Sequence, residues 1–183
     1  MSRSKPPVKY CSQCGHEVEL KTPRGDSLPR HVCTDCGMIH YLNPKIVTGC
    51  IVTSEQKILL CRRAISPRYG LWTIPAGFME LGETVQDAAA RETWEEAYAD
   101  AVIDELFGVY NIPRVSQVYV IFRAHLKTPE FSPGEESLET ELFSEQDIPW
   151  DELAFKVVRV ALEQYFTAVR ESDMRPFVGD IIS

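Results

Sequence analysis

The chain has 183 residues, 44% hydrophobic and 25% charged, the balance of a soluble globular protein with one ordinary domain and a small appendage. A formal net charge of −8 excludes a broad basic face for nucleic acid, but not a phosphorylated substrate, because carboxylate-held metal ions can supply positive charge. No apolar run approaches the roughly 20 residues of a membrane span, and residues 1–9 are basic without the apolar core of a secretory signal, so a cytoplasmic, reducing setting with no membrane partner is expected.

Residues 1–43 read as a small module and residues 44–172 as the main domain, with 173–183 a tail of no strong signal. Asn43-Pro44 marks the break, since proline disfavours helix in the residue before it. Residues 46–53 are β-branched and apolar, Ser54-Glu55-Gln56 reads as a turn, and 57–62 returns as a second strand of a hairpin. Residues 66–70 form a loop, 71–74 a short strand ended by Pro75-Ala76-Gly77. Thr84 followed by Asp87 three residues later predicts a capping box opening a helix to about Ala97. Strands are expected over 102–110 and 115–126, a polar loop over 127–136, and one short strand at Leu142-Phe143. A last helix over 155–170 carries Val158, Ala161, Leu162, Tyr165 and Val169 at helical spacing.

The first module holds Cys11-x-x-Cys14-Gly15 and Cys33-x-x-Cys36-Gly37, with 18 residues between the pairs. That spacing fits a four-cysteine zinc site. Four thiolates fill a tetrahedral shell and leave no position for water, so Zn²⁺ here would be structural. Glycine after each pair suits the unusual backbone angles of such a turn. Two redox or core cysteine pairs are the alternative. With four cysteines complete, His16, His31 and His40 are expected at the surface, and Cys50 and Cys61, in apolar runs, as ordinary core thiols.

Glu92, Glu95 and Glu96 stand at i, i+3 and i+4 of the expected helix and so share one face, where like charges repel unless a cation sits among them. Val85, Ala88 and Ala89 fall on the same side, so the acids run out of a core-facing stripe rather than forming an ordinary solvated face. Inward carboxylates need partners. Mg²⁺, or Mn²⁺, satisfies them, and commonly bridges protein carboxylates to substrate phosphates.

The segment Gly77, Glu83, Arg91, Glu92, Glu95, Glu96 resembles, in register, the Nudix box G-x5-E-x7-R-E-U-x-E-E-x-G-U, where U is a bulky aliphatic residue. Thr93 and Ala99 depart from the two U positions, and Tyr98 replaces the closing glycine; a left-handed Tyr98 would cost about 1–2 kcal/mol, so the helix is expected to end differently there. The resemblance covers residues 45–170 and implies an α/β/α sandwich with a mixed sheet, preceded by the four-cysteine zinc ribbon. It implies that Glu92, Glu95, Glu96 and the Ala76 carbonyl hold the metal and that Arg91 and Glu83 brace the loop and helix. A further acid outside the box is expected, with Glu139 the first choice and Glu136 the second.

Zinc-ribbon members of this family include NADH pyrophosphatases, but their Ser-Gln-Pro-Trp-Pro-Phe-Pro motif is reduced here to Ser116-Gln117 before Val118-Tyr119-Val120. The wider pattern is more similar to the FAD and ADP-ribose pyrophosphohydrolase subgroup, which implies a nucleotide substrate, AMP as a product and, by family habit, a homodimer. Arg63, Tyr69 and Phe78 are candidate substrate contacts, with Trp72 and Tyr110 as further stacking rings and Arg62 and Arg68 as further phosphate donors. A triphosphate-sanitising enzyme and a non-catalytic nucleotide sensor are the competing readings.

Overall fold

The computed structural model describes residues 8–182; the expectation for the extreme N-terminus rests mainly on residues 1–7, outside that range. The chain divides into two compact units, residues 1–44 and 45–183. Among the described residues no helix is long and apolar enough to cross a membrane.

The first unit is a three-stranded antiparallel sheet of β1 (Val18–Lys21), β2 (Arg30–Cys33) and β3 (Ile39–His40). Its two cysteine pairs form matching turns. The Cys11 N–H reaches the His16 carbonyl at 2.7 Å and the Cys33 N–H the Met38 carbonyl at 2.9 Å, a five-residue span in both. Gly15 and Gly37 sit at φ +78° and +71°, the left-handed region expected of them.

The second unit is built on a mixed sheet ordered β10-β5-β4-β9-β8-β11. Its strands are β4 (Lys45–Ser54), β5 (Lys57–Arg63), β8 (Ala101–Ile112), β9 (Gln117–Leu126), β10 (Ser137–Phe143) and β11 (Phe177–Asp180). Two short strands attach beside the path, β6 (Trp72–Thr73) on β5 and β7 (Ala76–Phe78) on β4. The β-branched run of β4 lies parallel to β9 from Lys45↔Gln117 to Thr53↔His125. The expected hairpin joins β4 and β5 through Glu55 and Gln56, both left-handed at φ 48° and 66°.

Strand side chains alternate between faces, and the core follows that period of two. Ile51, Ile58, Leu60 and Ile121 pack with Val157, Val158, Ala161 and Leu162 of helix α2 (Lys156–Glu171). Cys50, Val52, Leu59, Cys61, Phe122 and Ala124 pack with Ala89 and Ala97 of helix α1 (Val85–Ala97) on the other face. The result is the expected α/β/α sandwich. Cys50 and Cys61 are core thiols, and burial pushes Cys50 up to about 12.

Four expectations need correction. The strand placed at Leu142-Phe143 begins at Ser137, since the acidic stretch pairs with β5 along its whole length, through a bulge between Ser137 and Glu139. Pro113–Val115 is a 3-10 turn, and the strand starts at Gln117. The tail past residue 172 is not signal-free: β11 adds as a parallel edge strand to β8, from Phe177↔Gly108 to Asp180↔Asn111. Tyr98, expected to avoid the left-handed region, adopts it at φ 42° and ψ 36° and caps α1, its N–H bonded to the Trp94 carbonyl at 2.7 Å.

Candidate active site and metal centres

Helix α1 opens as its sequence demands. The Thr84 hydroxyl accepts the Asp87 N–H while the Asp87 carboxylate takes the Thr84 N–H. From that start, one face carries Ala88, Ala89, Thr93, Glu96 and Ala97 into the core. Glu96 is 6% exposed, Glu92 half-buried and Glu95 exposed.

The loop preceding the helix closes on these acids. The Ala76 N–H donates to the Glu96 carboxylate at 3.1 Å. Gly77 lies against Glu92 so closely that a Cβ would stand 2.2 Å from its Oε2, so any side chain there would displace the Glu92 carboxylate. Gly49 on β4 likewise admits the backbone of Pro75 and Ala76.

Arg91 ties the parts together. Its Nε and Nη2 take both oxygens of Glu83 at 3.0 and 2.8 Å, its Nη1 reaches Glu92 at 2.8 Å and Glu95 at 2.9 Å, and its Nη2 meets the Phe78 carbonyl at 3.2 Å. Bidentate pairing of this kind fixes orientation as well as charge. Glu83, also accepting the Glu80 N–H at 2.6 Å, is held below its ordinary pKa, with the Arg91 bond as the main cause.

The other acids go the opposite way. Burial pushes Glu96 up to about 8, helped by the charges of Glu92 and Glu136 and opposed by the Ala76 N–H and by Arg63. Burial also raises Glu92, against the pull of Arg91, and Glu95 and Glu136 add to the rise. A buried carboxylate ringed by like charge is stable as an anion only with a cation at hand. The donor set is all oxygen, the kind Mg²⁺ and Mn²⁺ take. The glutamate oxygens are not gathered as a closed set: among the described residues, the clusters with all ligand atoms within 4.8 Å of one another are built around the cysteines. Glu92 and Glu95 instead turn to Arg91.

The sequence candidates are thus split. Glu83, Arg91, Glu92, Glu95, Glu96 and Ala76 come together. Glu139 lies on β10, exposed, its Oε1 accepting from Arg62 at 3.0 Å. It is the charge of Glu136 that bears on Glu92 and Glu96. Arg63 is buried, with its Nε on the Pro67 carbonyl at 3.0 Å and its guanidinium 5.1 Å from the Phe155 ring centre. Tyr69 stands exposed on the loop between β5 and β6, and Phe78 is exposed with the Lys45 Nζ 4.6 Å from its ring centre. Trp72 and Tyr110 are corrected from stacking rings to packing residues: both are buried, Trp72 edge-on to Phe143 and Tyr110 bonded through its hydroxyl to Gln164.

In the ribbon, Sγ to Sγ distances are 3.4 Å for Cys14–Cys33 and Cys14–Cys36 and 3.7 Å for Cys11–Cys36. A disulfide needs about 2.05 Å. A tetrahedron with metal–sulfur bonds of about 2.3 Å has edges of about 3.8 Å, close to what is seen. The N–H groups of Gln13 and Asp35 point at the Cys11 and Cys33 sulfurs, each at 3.4 Å. Burial opposes ionisation of Cys33, but the Asp35 and Cys36 N–H groups and the neighbouring thiols outweigh it and bring its pKa to about 6. His40, expected to be an uninvolved surface residue, sets its Nε2 3.3 Å from the Cys11 sulfur.

Comparison with known proteins agrees with this geometry. Residues 9–42 match the Nudix N-terminal family and residues 43–163 the NUDIX domain family. The crystal structure of a NUDIX hydrolase from Nitrosomonas europaea is 51% identical, with a TM-score of 0.93 over 96% of this chain and 100% of that chain. An ADP-ribose pyrophosphatase of Methanocaldococcus jannaschii is 34% identical over 119 residues, 63% of this chain and 69% of that protein. An NAD-capped RNA hydrolase NudC of Vibrio cholerae is 30% identical over 86% of this chain, which spans 57% of that relative's length. The chain belongs to the NUDIX domain family, as a Nudix hydrolase whose acidic helix and arginine brace follow an N-terminal zinc ribbon.

Proposed function

We propose that this protein hydrolyses the pyrophosphate bond of a nucleoside diphosphate joined to a second group, ADP-ribose or FAD, and releases AMP. The observation that carries this reading is Glu96: a carboxylate 6% exposed, pushed up to about 8 by burial and further by the charges of Glu92 and Glu136. Such a group waits for a cation. Mg²⁺ or Mn²⁺ would be held by Glu96, Glu92, Glu95 and the Ala76 carbonyl. Bound there, the ion would neutralise charge on the diphosphate and lower the pKa of water.

In the reaction a water oxygen bonds to one phosphorus, the bridging P–O bond breaks, and the second phosphate leaves. Glu92, half-buried and raised in pKa, is suited to take the proton that water gives up. Arg91 and Glu83 hold the helix and the Phe78 loop in one geometry. Tyr69 and Phe78, both exposed, are assigned to the substrate as stacking surfaces for base or flavin, whereas Arg63, expected as a substrate contact, is buried and is assigned instead as the cation whose field lowers Glu96. The curated relative from Methanocaldococcus jannaschii supports ADP-ribose. The NADH branch is disfavoured because Ser116-Gln117 leads straight into β9 with no proline-rich motif.

Zn²⁺ is assigned to Cys11, Cys14, Cys33 and Cys36 as a structural ion, consistent with a reducing, cytoplasmic setting. A homodimer is the expected assembly, and no nucleic-acid or membrane partner is assigned. The test is a panel of ADP-ribose, FAD, NADH and nucleoside triphosphates with Mg²⁺, with products identified. Release of AMP from ADP-ribose or FAD is expected, and E96Q abolishes it. Preference for triphosphates, or full activity in E96Q, overturns the reading.

A further inference from the structure

His40 closes β3, a strand of two residues that pairs Ile39 with Val32 and His40 with His31 of β2. So short a ladder brings few hydrogen bonds of its own. The His40 side chain adds another hold. It crosses to the first cysteine turn, where its Nε2 stands 3.3 Å from the Sγ of Cys11, 29 positions earlier in the chain. Cys11 is 4% exposed, and the Gln13 N–H points at the same sulfur from 3.4 Å. Little water reaches that sulfur, and two nitrogens face it.

His40 is not itself a ligand. Among the described residues two groups could close on one ion: Cys11, Cys14, Cys33 and Cys36, and Cys14 with His16 and Asp35. His40 belongs to neither and touches the four-cysteine set from outside, at Cys11. A cysteine that holds a metal does so as thiolate, which accepts hydrogen bonds and cannot donate them. The Nε2 of His40 must therefore carry the proton. Four thiolates exceed the charge of Zn²⁺ by two, and a sulfur shut away from water needs donors to spread that excess. We infer that His40 is a positioning residue of the ribbon: its Nε2–H donates to the Cys11 thiolate, holds that sulfur in the tetrahedron and ties β3 to the first cysteine turn. The inference rests on the assignment of Zn²⁺ to the four cysteines and goes beyond it by naming a side chain that supports the shell.

The experiment uses the full chain. Zinc affinity is measured by competition with a chromophoric chelator, and the site is read by the thiolate-to-metal charge-transfer band of the Co²⁺-substituted protein. H40Q and H40F separate donor from shape. Glutamine sets an amide N–H as many bonds from Cβ as histidine sets Nε2, whereas phenylalanine keeps a flat ring and has no donor. H40F is expected to weaken zinc binding about tenfold or more. Its charge-transfer band is expected at longer wavelength, because a thiolate freed of a hydrogen bond gives charge to the metal more readily. H40Q is expected to stay close to wild type in both measurements, and so is H31F on the neighbouring strand. Wild-type zinc affinity in H40F overturns the inference, as does an equal loss in H40Q or H31F. Weaker binding in H40F with the band unmoved overturns it too, since ring packing alone would then explain the loss. A wild-type Co²⁺ form with no thiolate band would overturn the four-cysteine site itself, a different failure from an unchanged H40F.

Discussion

Glu96 makes the stability of the metal-free protein fall as pH rises, and E96Q removes that fall. A glutamate in the unfolded chain titrates near 4.5, whereas folded Glu96 titrates near 8. Between those values the folded state holds a proton that the unfolded state has lost. Stability linked to this group is therefore present below about pH 4.5 and drains away as pH climbs toward about 8. The slope is about 1.4 kcal/mol per pH unit at its steepest, so from pH 5.5 to 7.5 the loss is about 3 kcal/mol. Glu92, also raised by burial, acts in the same direction. The assay is urea unfolding followed by tryptophan fluorescence, with Mg²⁺ omitted. Trp72, Trp94 and Trp150 all lie in the unit from residue 45 onward, so the ribbon does not contribute to the signal. Glutamine keeps an oxygen for the Ala76 N–H and carries no charge, so E96Q should be flatter with pH and more stable than wild type at pH 8. Mg²⁺ at about a hundredfold excess over its Kd should return about 2.7 kcal/mol to wild type and little to E96Q. Equal pH slopes in the two proteins, or equal gains from Mg²⁺, would refute the reasoning.

R91K keeps the charge but loses the fork that spans Glu83, Glu92 and Glu95; hydrolysis should drop by about 10²-fold, seen in kcat, with the α1 sequence otherwise intact. Y98G and Y98A separate the left-handed cap from the aromatic contact: both lose the Trp94 ring 5.7 Å away, but only glycine relieves φ 42°, so Y98G should be more stable than Y98A by about 1 kcal/mol in urea midpoints. C36S should lose bound zinc, measured by atomic absorption, and render residues 9–42 sensitive to protease while the tryptophan-monitored unfolding of the second unit remains.

Elements whose sequence carries its own periodicity were legible. The capping box at Thr84, the 4-residue reach from Glu92 to Glu96 and the apolar stripe of α2 are all local patterns, and each folds as its spacing requires. The hairpin at Glu55-Gln56 was legible from flanking strands, although neither turn residue is glycine. What escaped was decided by partners distant in sequence. β11 has no apolar alternation of its own; it becomes a strand because β8 presents an open edge to Phe177–Asp180. Tyr98 was read against its intrinsic cost of about 1–2 kcal/mol. That cost is met by its own bond to Trp94 and by the loop that takes the carbonyls of Glu96 and Ala97. Propensity describes a residue alone, and here the surroundings outvoted it.

The same division runs through the site. Glutamates on one helical turn announce themselves by number, because a helix converts spacing into direction. An acid supplied by a loop has no such code. Seven acids lie between Glu130 and Asp147, and counting from Phe143 favoured Glu139 over Glu136. The structure separates them by pairing: Glu139, past the bulge in β10, faces Arg62, whereas the charge of Glu136 bears on Glu92 and Glu96. That pairing is set by strand register, which the count of acids along the chain does not reveal, so E139Q should remove a surface ion pair with Arg62 and leave hydrolysis close to wild type.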